Sequence, residues 1–583
     1  MKPQIYILDT ILQRFKKLND PCNGKLFGIF VKNTLHVLGL QMENGLNLIH
    51  SFPAEIDFCG TFEAYPNPSY DSQQVLSRSS QVEVTDNPIF ISILLTIQNE
   101  ISCNIVCNNQ ITNVSYTILT LPEIYSSFMH VRLQGEFLLH SEQNEQSIAD
   151  SFTELRKSIA SGVMAFTIPK LNILLVTSDS ESGIIGLTGD PAFGEICQEA
   201  NCEGPERKKK NDQTLKLDAV DISLIKRATR DGFIIEPKSH SPVVILDKKK
   251  LELINIPLKL NFLAMISKHT KLSKLYDILL ESAIKNLRLY ESVLQNYLKT
   301  HKISTGIELP ETMHFFPKEA GHFLTRIVIG NSEKEDKEER ELLHEALLLP
   351  KTTPVFRKAN QFEFSDCKKP SGPLRNVHEG LPLPLSGEAC KVSLVKGEYE
   401  YYHYGQNKMD DKGWGCAYRS LQTLASWFKL QGYTSRPVPT FKEIQKCLVD
   451  IGDKPANFID STQWIGSSEV NFVLKSLLGV TSKILYVNSG EELGTKGPEL
   501  LQHFEMHGSP VMIGGGVLAH TILGVEYNQL TGSLKFLILD PHYTGEDDLN
   551  VILNRKWCAW KGVDFFNKSA YYNMCLPQVP REF

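Results

Sequence analysis

Gly413-Trp414-Gly415-Cys416-Ala417-Tyr418-Arg419-Ser420 places a cysteine at the start of a helix. Beyond Cys416, the apolar residues Tyr418, Leu421, Leu424, Ala425 and Phe428 fall at helical spacing, with Gly432 as a stop. The glycines keep the entering loop tight and leave room for a substrate backbone. Free N–H groups and the dipole at a helix N-terminus favour a thiolate, and the same groups can hold the oxyanion of an acyl intermediate. A free cysteine is more often a small buried core residue. This stretch alone leaves both readings open.

The partners of a nucleophile stand downstream. Leu534-Lys535-Phe536-Leu537-Ile538-Leu539 reads as a buried strand running into Asp540-Pro541-His542-Tyr543. Residues two apart on an extended segment share a side, so Asp540 and His542 are expected to project together. Pro541 cannot continue a central ladder, as expected where a strand opens into a site. A thiol nucleophile needs a base and a group that orients the base. Cys416, His542 and Asp540 supply one of each. Alone, Asp-Pro-His reads more readily as a turn with an ordinary surface histidine. Beside a Gly-Trp-Gly-Cys helix start, the catalytic reading is preferred.

From about Ser393 onward the chain resembles the ubiquitin-fold-modifier-specific proteases, peptidase family C78. The match runs through Asp410-Asp411-Lys412-Gly413-Trp414-Gly415-Cys416 and on to Gln422, then Gln463-Trp464-Ile465-Gly466-Ser467. It resumes through Pro510–Thr521 and Leu539-Asp540-Pro541-His542-Tyr543-Thr544-Gly545. The resemblance implies a papain-like fold with Cys416 as nucleophile, His542 as base and Asp540 as its orienter. It also implies that Tyr404 lends its hydroxyl to the oxyanion hole. The implied reaction is thiol-dependent hydrolysis after the C-terminal glycine of the modifier, both in its precursor and on conjugated lysines, with no cofactor or metal. The implied partners are the modifier, its conjugates and a membrane-anchored docking protein at the endoplasmic reticulum. An autophagy-type tail protease shares Gly-Trp-Gly-Cys and Asp-Pro-His, and a non-catalytic adaptor is a third reading.

His520, on the expected strand Ala519–Val525, is the rival base. His542 is preferred because it alone sits two residues from a carboxylate. Gly514-Gly515-Gly516 lacks the Gly-Lys-Ser/Thr ending of a phosphate loop, so close packing beside the site is expected. Trp414, Trp464, Trp557 and Trp560 fit either a substrate groove or the core. Cys447, Cys558 and Cys575 read as inert.

A chain of 583 residues is long enough for several domains. A net charge of −6 gives no reason to expect nucleic acid. Twelve cysteines at irregular spacing suit a reducing compartment. Cys103/Cys107 and Cys197/Cys202 each resemble half a zinc site without a second pair. No apolar run is long enough to span a membrane or to serve as a signal peptide. A cytoplasmic protein is therefore expected, and the family resemblance implies that a partner holds it at the endoplasmic reticulum. The basic run Glu206–Asn211 reads as a solvated loop, and as a nuclear signal in the alternative.

The whole chain reads as α+β, with a mixed α/β N-terminal region before the papain-like domain. The expected divisions are a docking region at 1–305, a helical connector and Pro/Gly-rich linker at 306–392, and the protease at 393–583. Lys25–Val31 and Thr34–Leu40 form an expected hairpin around Lys32-Asn33. Further strands are expected at Ile89–Ile97, Ser115–Leu121, Met129–Leu139 and Leu171–Leu175. Helices are expected at Ser147–Ser161, Lys271–Thr300 and Ser332–Leu348. This loosely resembles an MPN-type domain. The region has no His-x-His, so an inactive scaffold is expected. The prolines of Lys368–Gly387 mark the linker.

Overall fold

A computed structural model describes residues 3–580 apart from 67–69, 97, 143, 178–182, 200–216, 227–252, 301–309, 331–332, 352, 366–371 and 385–388. The basic run Glu206–Asn211, Cys202 and parts of the expected linker lie outside the described residues. The chain forms two compact units. One is Met1–Pro350 with Gln361–Lys368, and the other is Lys351–Asn360 with Lys369–Phe583.

The N-terminal unit carries two sheets. In the first, the hairpin Cys22–Val31/Thr34–Met42 turns at Lys32 and Asn33, whose φ values of 47° and 64° suit a tight two-residue loop. Asp57–Tyr65 pairs with the first strand of this hairpin, and Gln4–Leu8 runs parallel to the second. The second sheet is built on Phe128–Glu142 against Leu253–Ser267, antiparallel along their whole length. Helix Leu272–Thr300 buries Leu275, Leu279, Ala283, Leu287 and Leu294 against that sheet, one stripe at helical spacing. The expected strand ending at Leu139 continues to Glu142, because its long partner extends the ladder beyond the apolar run.

The stretch read as a connector is more ordered than its composition suggests. Glu311–Phe315 and Leu324–Val328 form a hairpin, and Glu333–Ala346 is a helix. Within the proline-rich stretch, residues 372–384 are not a free tether. Val377 is fully buried in the core of the C-terminal unit, and Asn376 exchanges hydrogen bonds with Tyr399. Composition flagged the prolines, but Val377, with Leu374 and Leu381 packed on the same core, decides where the segment packs.

In the C-terminal unit the strand order is Ser482–Val487, Tyr572–Pro577, Val511–Gly515, Leu518–Asn528, Leu534–Leu539 and Cys558–Gly562. Cys390–Leu394 adds to Leu518–Asn528. The helix Cys416–Leu430 lies across Val511–Gly515 and Leu518–Asn528. Its residues Tyr418, Leu421, Leu424 and Phe428 are buried, and Gly432 follows in the left-handed conformation. The N-terminus of this helix and the end of Leu534–Leu539 meet at one end of the sheet.

Candidate active site

Cys416 is the first residue of its helix, with Gly415 as N-cap. The turn before it is held by Asp411, which is wholly buried. The Asp411 carbonyl accepts from the Gly415 N–H at 2.9 Å and from the Trp414 N–H at 3.3 Å. Its carboxylate accepts from the Gly405 N–H at 2.8 Å and from Arg419 Nε at 2.5 Å. A β-carbon at position 415 would lie 2.7 Å from that of Asp411, so only glycine lets the loop close this tightly.

Asp540 follows directly on Leu539, and its N–H donates to the Trp557 carbonyl at 2.8 Å. Asp540 Oδ1 accepts from the backbone N–H of His542 at 3.0 Å and lies 2.6 Å from the ring Nδ1. The pair is therefore made by a side-chain-capped turn, not by the extended alternation expected from sequence. An aspartate accepting from the amide two residues on is the ordinary way such turns close. Tyr401 donates its hydroxyl to the Asp540 carbonyl.

His542 Nε2 is buried and bonded to no nitrogen or oxygen, which leaves it for the thiol. Burial alone would raise the Cys416 thiol. The hydrogen bond and charge of His542, a hydrogen bond from the Tyr404 hydroxyl and one from the Ala519 backbone bring it below its ordinary value. Burial would lower His542, but the Asp540 and Cys416 contacts raise it to about 9. Asp540 is held below the usual carboxylate range against its own burial, chiefly by the His542 hydrogen bond. Thiolate and imidazolium thus stabilise each other, the protonation state from which a cysteine attacks.

Tyr404 is placed by its N–H on the Pro541 carbonyl at 3.0 Å and by the edge of its ring against His542, with centroids 5.3 Å apart. Burial and the neighbouring Cys416 charge raise its phenol, so it remains a donor. A phenol donor beside the amides of a helix N-terminus is an arrangement that can hold a developing oxyanion.

His520 lies in the same cluster, its ring 5.2 Å from those of His542 and Phe565. Nε2 is 3.9 Å from Asp540 Oδ2, too far for a hydrogen bond. Burial lowers it to about 4, which keeps it neutral. Ligand-capable atoms of His520, Asp540 and His542 lie within 4.8 Å of one another. Asp540 Oδ1 and His542 Nδ1 are already bonded to each other, an arrangement suited to moving a proton.

Several supporting residues escape a reading by motif. Arg419, buried in the nucleophile helix, also bonds the Gln406 carbonyl at 3.0 Å and stacks over Phe441. His403 Nδ1 faces the Tyr404 and Tyr543 carbonyls, and Nε2 lies 2.8 Å from Asp547 Oδ1. Arg419 lies off the apolar stripe of its helix, so nothing local announces either residue. Trp464 is 56% exposed, whereas Trp414, Trp557 and Trp560 pack on the core. Burial pushes Cys558 and Cys575 up to about 12, so neither competes as a nucleophile.

Comparison with known proteins agrees along the whole chain. Residues 390–575 match peptidase family C78. Residues 1–124 match the insect UFM1-specific protease N-terminal MPN-like domain, and residues 149–369 the N-terminal region of ubiquitin-fold modifier 1 specific protease 2. The chain is 38% identical to the probable Ufm1-specific protease 2 of Drosophila melanogaster over 611 aligned residues, covering 100% of both. It is 43% identical to the Ufm1-specific protease 2 of Gallus gallus over 436 residues, 74% of this chain and 93% of that protein. The crystal structure of UfSP from C. elegans shares the fold, with a TM-score of 0.63 at 23% identity over 100% of each chain. This full-length likeness, together with a C-terminal domain of the cysteine-peptidase family C78, means that the chain belongs to the Ufm1-specific protease 2 family.

Proposed function

We propose that this chain hydrolyses the bond after the C-terminal glycine of the ubiquitin-fold modifier, maturing its precursor and releasing it from lysine conjugates. The observation that carries the reading is the mutual stabilisation of the Cys416 thiolate and the His542 imidazolium, with Asp540 on the far ring nitrogen. The thiolate attacks the glycyl carbonyl, and its negative charge passes to the carbonyl oxygen. Tyr404 and the helix-start amide hold that oxygen. His542 gives its proton to the departing amine as the tetrahedral adduct collapses to a thioester. Water, deprotonated by His542, then releases the modifier and restores the thiol.

The test is cleavage of purified modifier precursor by the full chain, read by intact mass. The expected product ends at the glycine, and Cys416→Ser abolishes its formation while the protein stays folded. Turnover by Cys416→Ser within about tenfold of wild type, a barrier change of ~1.4 kcal/mol, would remove Cys416 from the mechanism. Association with the endoplasmic reticulum through a membrane-bound partner belongs to the same proposal. It is supported by resemblance to the longer family members, and among the described residues no helix is long and apolar enough to cross a membrane. Cell fractionation after salt and detergent washes tests it.

A further inference from the structure

We propose that the hairpin tip Gly516-Val517-Leu518, with Tyr571 beside it, is a contact surface for the globular body of the modifier whose tail enters the site. The inference rests on the function proposed above. Val511–Gly515 and Leu518–Asn528 pair antiparallel up to Gly515 opposite Leu518, which leaves a two-residue loop. Gly516 has φ 57° and Val517 φ 73°. A two-residue loop of this kind, with positive φ at both positions, is normally filled with Asn, Asp or Gly. A β-branched residue in the left-handed region is strained. The strain is not offset by burial, because Val517 is 71% exposed and Leu518 49%. Strain that the fold does not use points to function.

The position of the tip says what it would touch. The Ala519 backbone, two residues from Val517, helps lower the Cys416 thiol, and the ring of the adjacent His520 lies 5.2 Å from that of His542. At a strand rise of about 3.3 Å per residue, the tip therefore begins roughly 7 Å from the nucleophile's neighbour and projects outward. On the other side, Gly515 pairs with Tyr572, next to Tyr571, which is 48% exposed. From Val511 to Val525 and from Ala570 to Leu576 there is no lysine, arginine, aspartate or glutamate. These segments carry no charge, expose apolar side chains and run into the catalytic centre, so they fit an uncharged apolar patch flanking the tail of a folded substrate. A short peptide held at Cys416 lacks that folded patch.

The experiment compares Val517→Gly and Val517→Asn with the wild-type full chain, using the modifier with a C-terminal fluorogenic amide. Both replacements relieve the strained loop, so the melting temperature should be unchanged or higher. KM for the modifier amide should rise about tenfold or more, with kcat little changed. A fluorogenic peptide of the last five modifier residues should be cleaved by both variants at the wild-type rate. An unchanged KM on the modifier amide would overturn the proposal. An equal loss on the peptide would also overturn it, by making the tip part of the tail groove. A defect confined to lysine conjugates would overturn it in favour of contact with the target protein. Failure of the wild-type chain to cleave the modifier amide at all would instead sink the proposed function beneath it.

Discussion

His542 is set between two partners, and each leaves a measurable trace. Because Asp540 and Cys416 both raise it, to about 9, removing the thiol should lower it: in Cys416→Ala the His542 ring should titrate below the wild-type value by NMR. An unchanged titration would mean that the thiolate does not face the ring. A raised histidine contributes stability that is complete below its unfolded value near 6.5 and is lost as pH rises through about 9. Since the leaving amine needs the imidazolium proton, kcat/KM should fall over the same alkaline range. His542→Ala should lose most activity with little change in melting temperature. His520→Ala should cost less rate and more stability, because that ring is 5% exposed and packed between His542 and Phe565. The reverse ranking would transfer the role of base to His520. Tyr404→Phe keeps the ring against His542 and removes only the donor. It should therefore lower kcat by about 10²-fold or less with little change in KM, since the helix-start amide remains. A change in KM alone would make Tyr404 a groove residue.

At the scale of elements, the site stands on a helix start, a capped turn and a hairpin. The helix start depends on Asp411, whose loss would leave the guanidinium of Arg419, 1% exposed, without its carboxylate. Asp411→Ala should destabilise the protein by about 3–5 kcal/mol and Asp411→Asn by less, since the amide can still accept from the Gly405 N–H. Equal melting temperatures for Asp411→Ala and wild type would remove the pair from the support of the loop. Local patterns carried the nucleophile helix, because its apolar spacing, its glycines and the Gly432 stop all act within a few turns. They also carried Asp540 beside His542, although through the wrong geometry, since alternation along a strand and a two-residue aspartate turn place the same side chains together. Arg419 with Asp411 and His403 with Asp547 were not legible. The first pair spans eight residues, from an irregular turn into the helix, and the second joins segments 144 residues apart. Only the folded sheet brings such partners within bonding distance.

Across the whole molecule, the chain passes more than once between its two units: Lys351–Asn360 belongs with the protease, Gln361–Lys368 with the N-terminal unit, and the rest with the protease. Composition could not reveal this, because a few side-chain contacts in each segment decide the assignment. Asn360 Nδ2 donates to the Gln431 carbonyl at 3.1 Å, at the end of the nucleophile helix. Phe364, four residues later, is buried with Phe323 and Leu263 of the N-terminal unit. Further on, Leu374 accepts from the Tyr401 N–H at 2.8 Å and so steadies the segment that ends in Tyr404. These placements predict where the protease can be cut free. A fragment of residues 351–583, with Phe362→Ser and Phe364→Ser to spare the exposed aromatics, should fold and cleave the modifier precursor, because the protease cores from Val377 to Leu576 are then intact. A fragment beginning at Gly387, the boundary that composition suggests, loses the fully buried Val377 and the bonds to Tyr399 and Tyr401. It should melt lower and lose activity with the displacement of Tyr404. Thermal melts and precursor cleavage on the two fragments decide the matter. Should the longer fragment melt cooperatively yet leave precursor uncut, the N-terminal unit would have to help bind the modifier, and the division into a docking unit and a self-sufficient protease would fall.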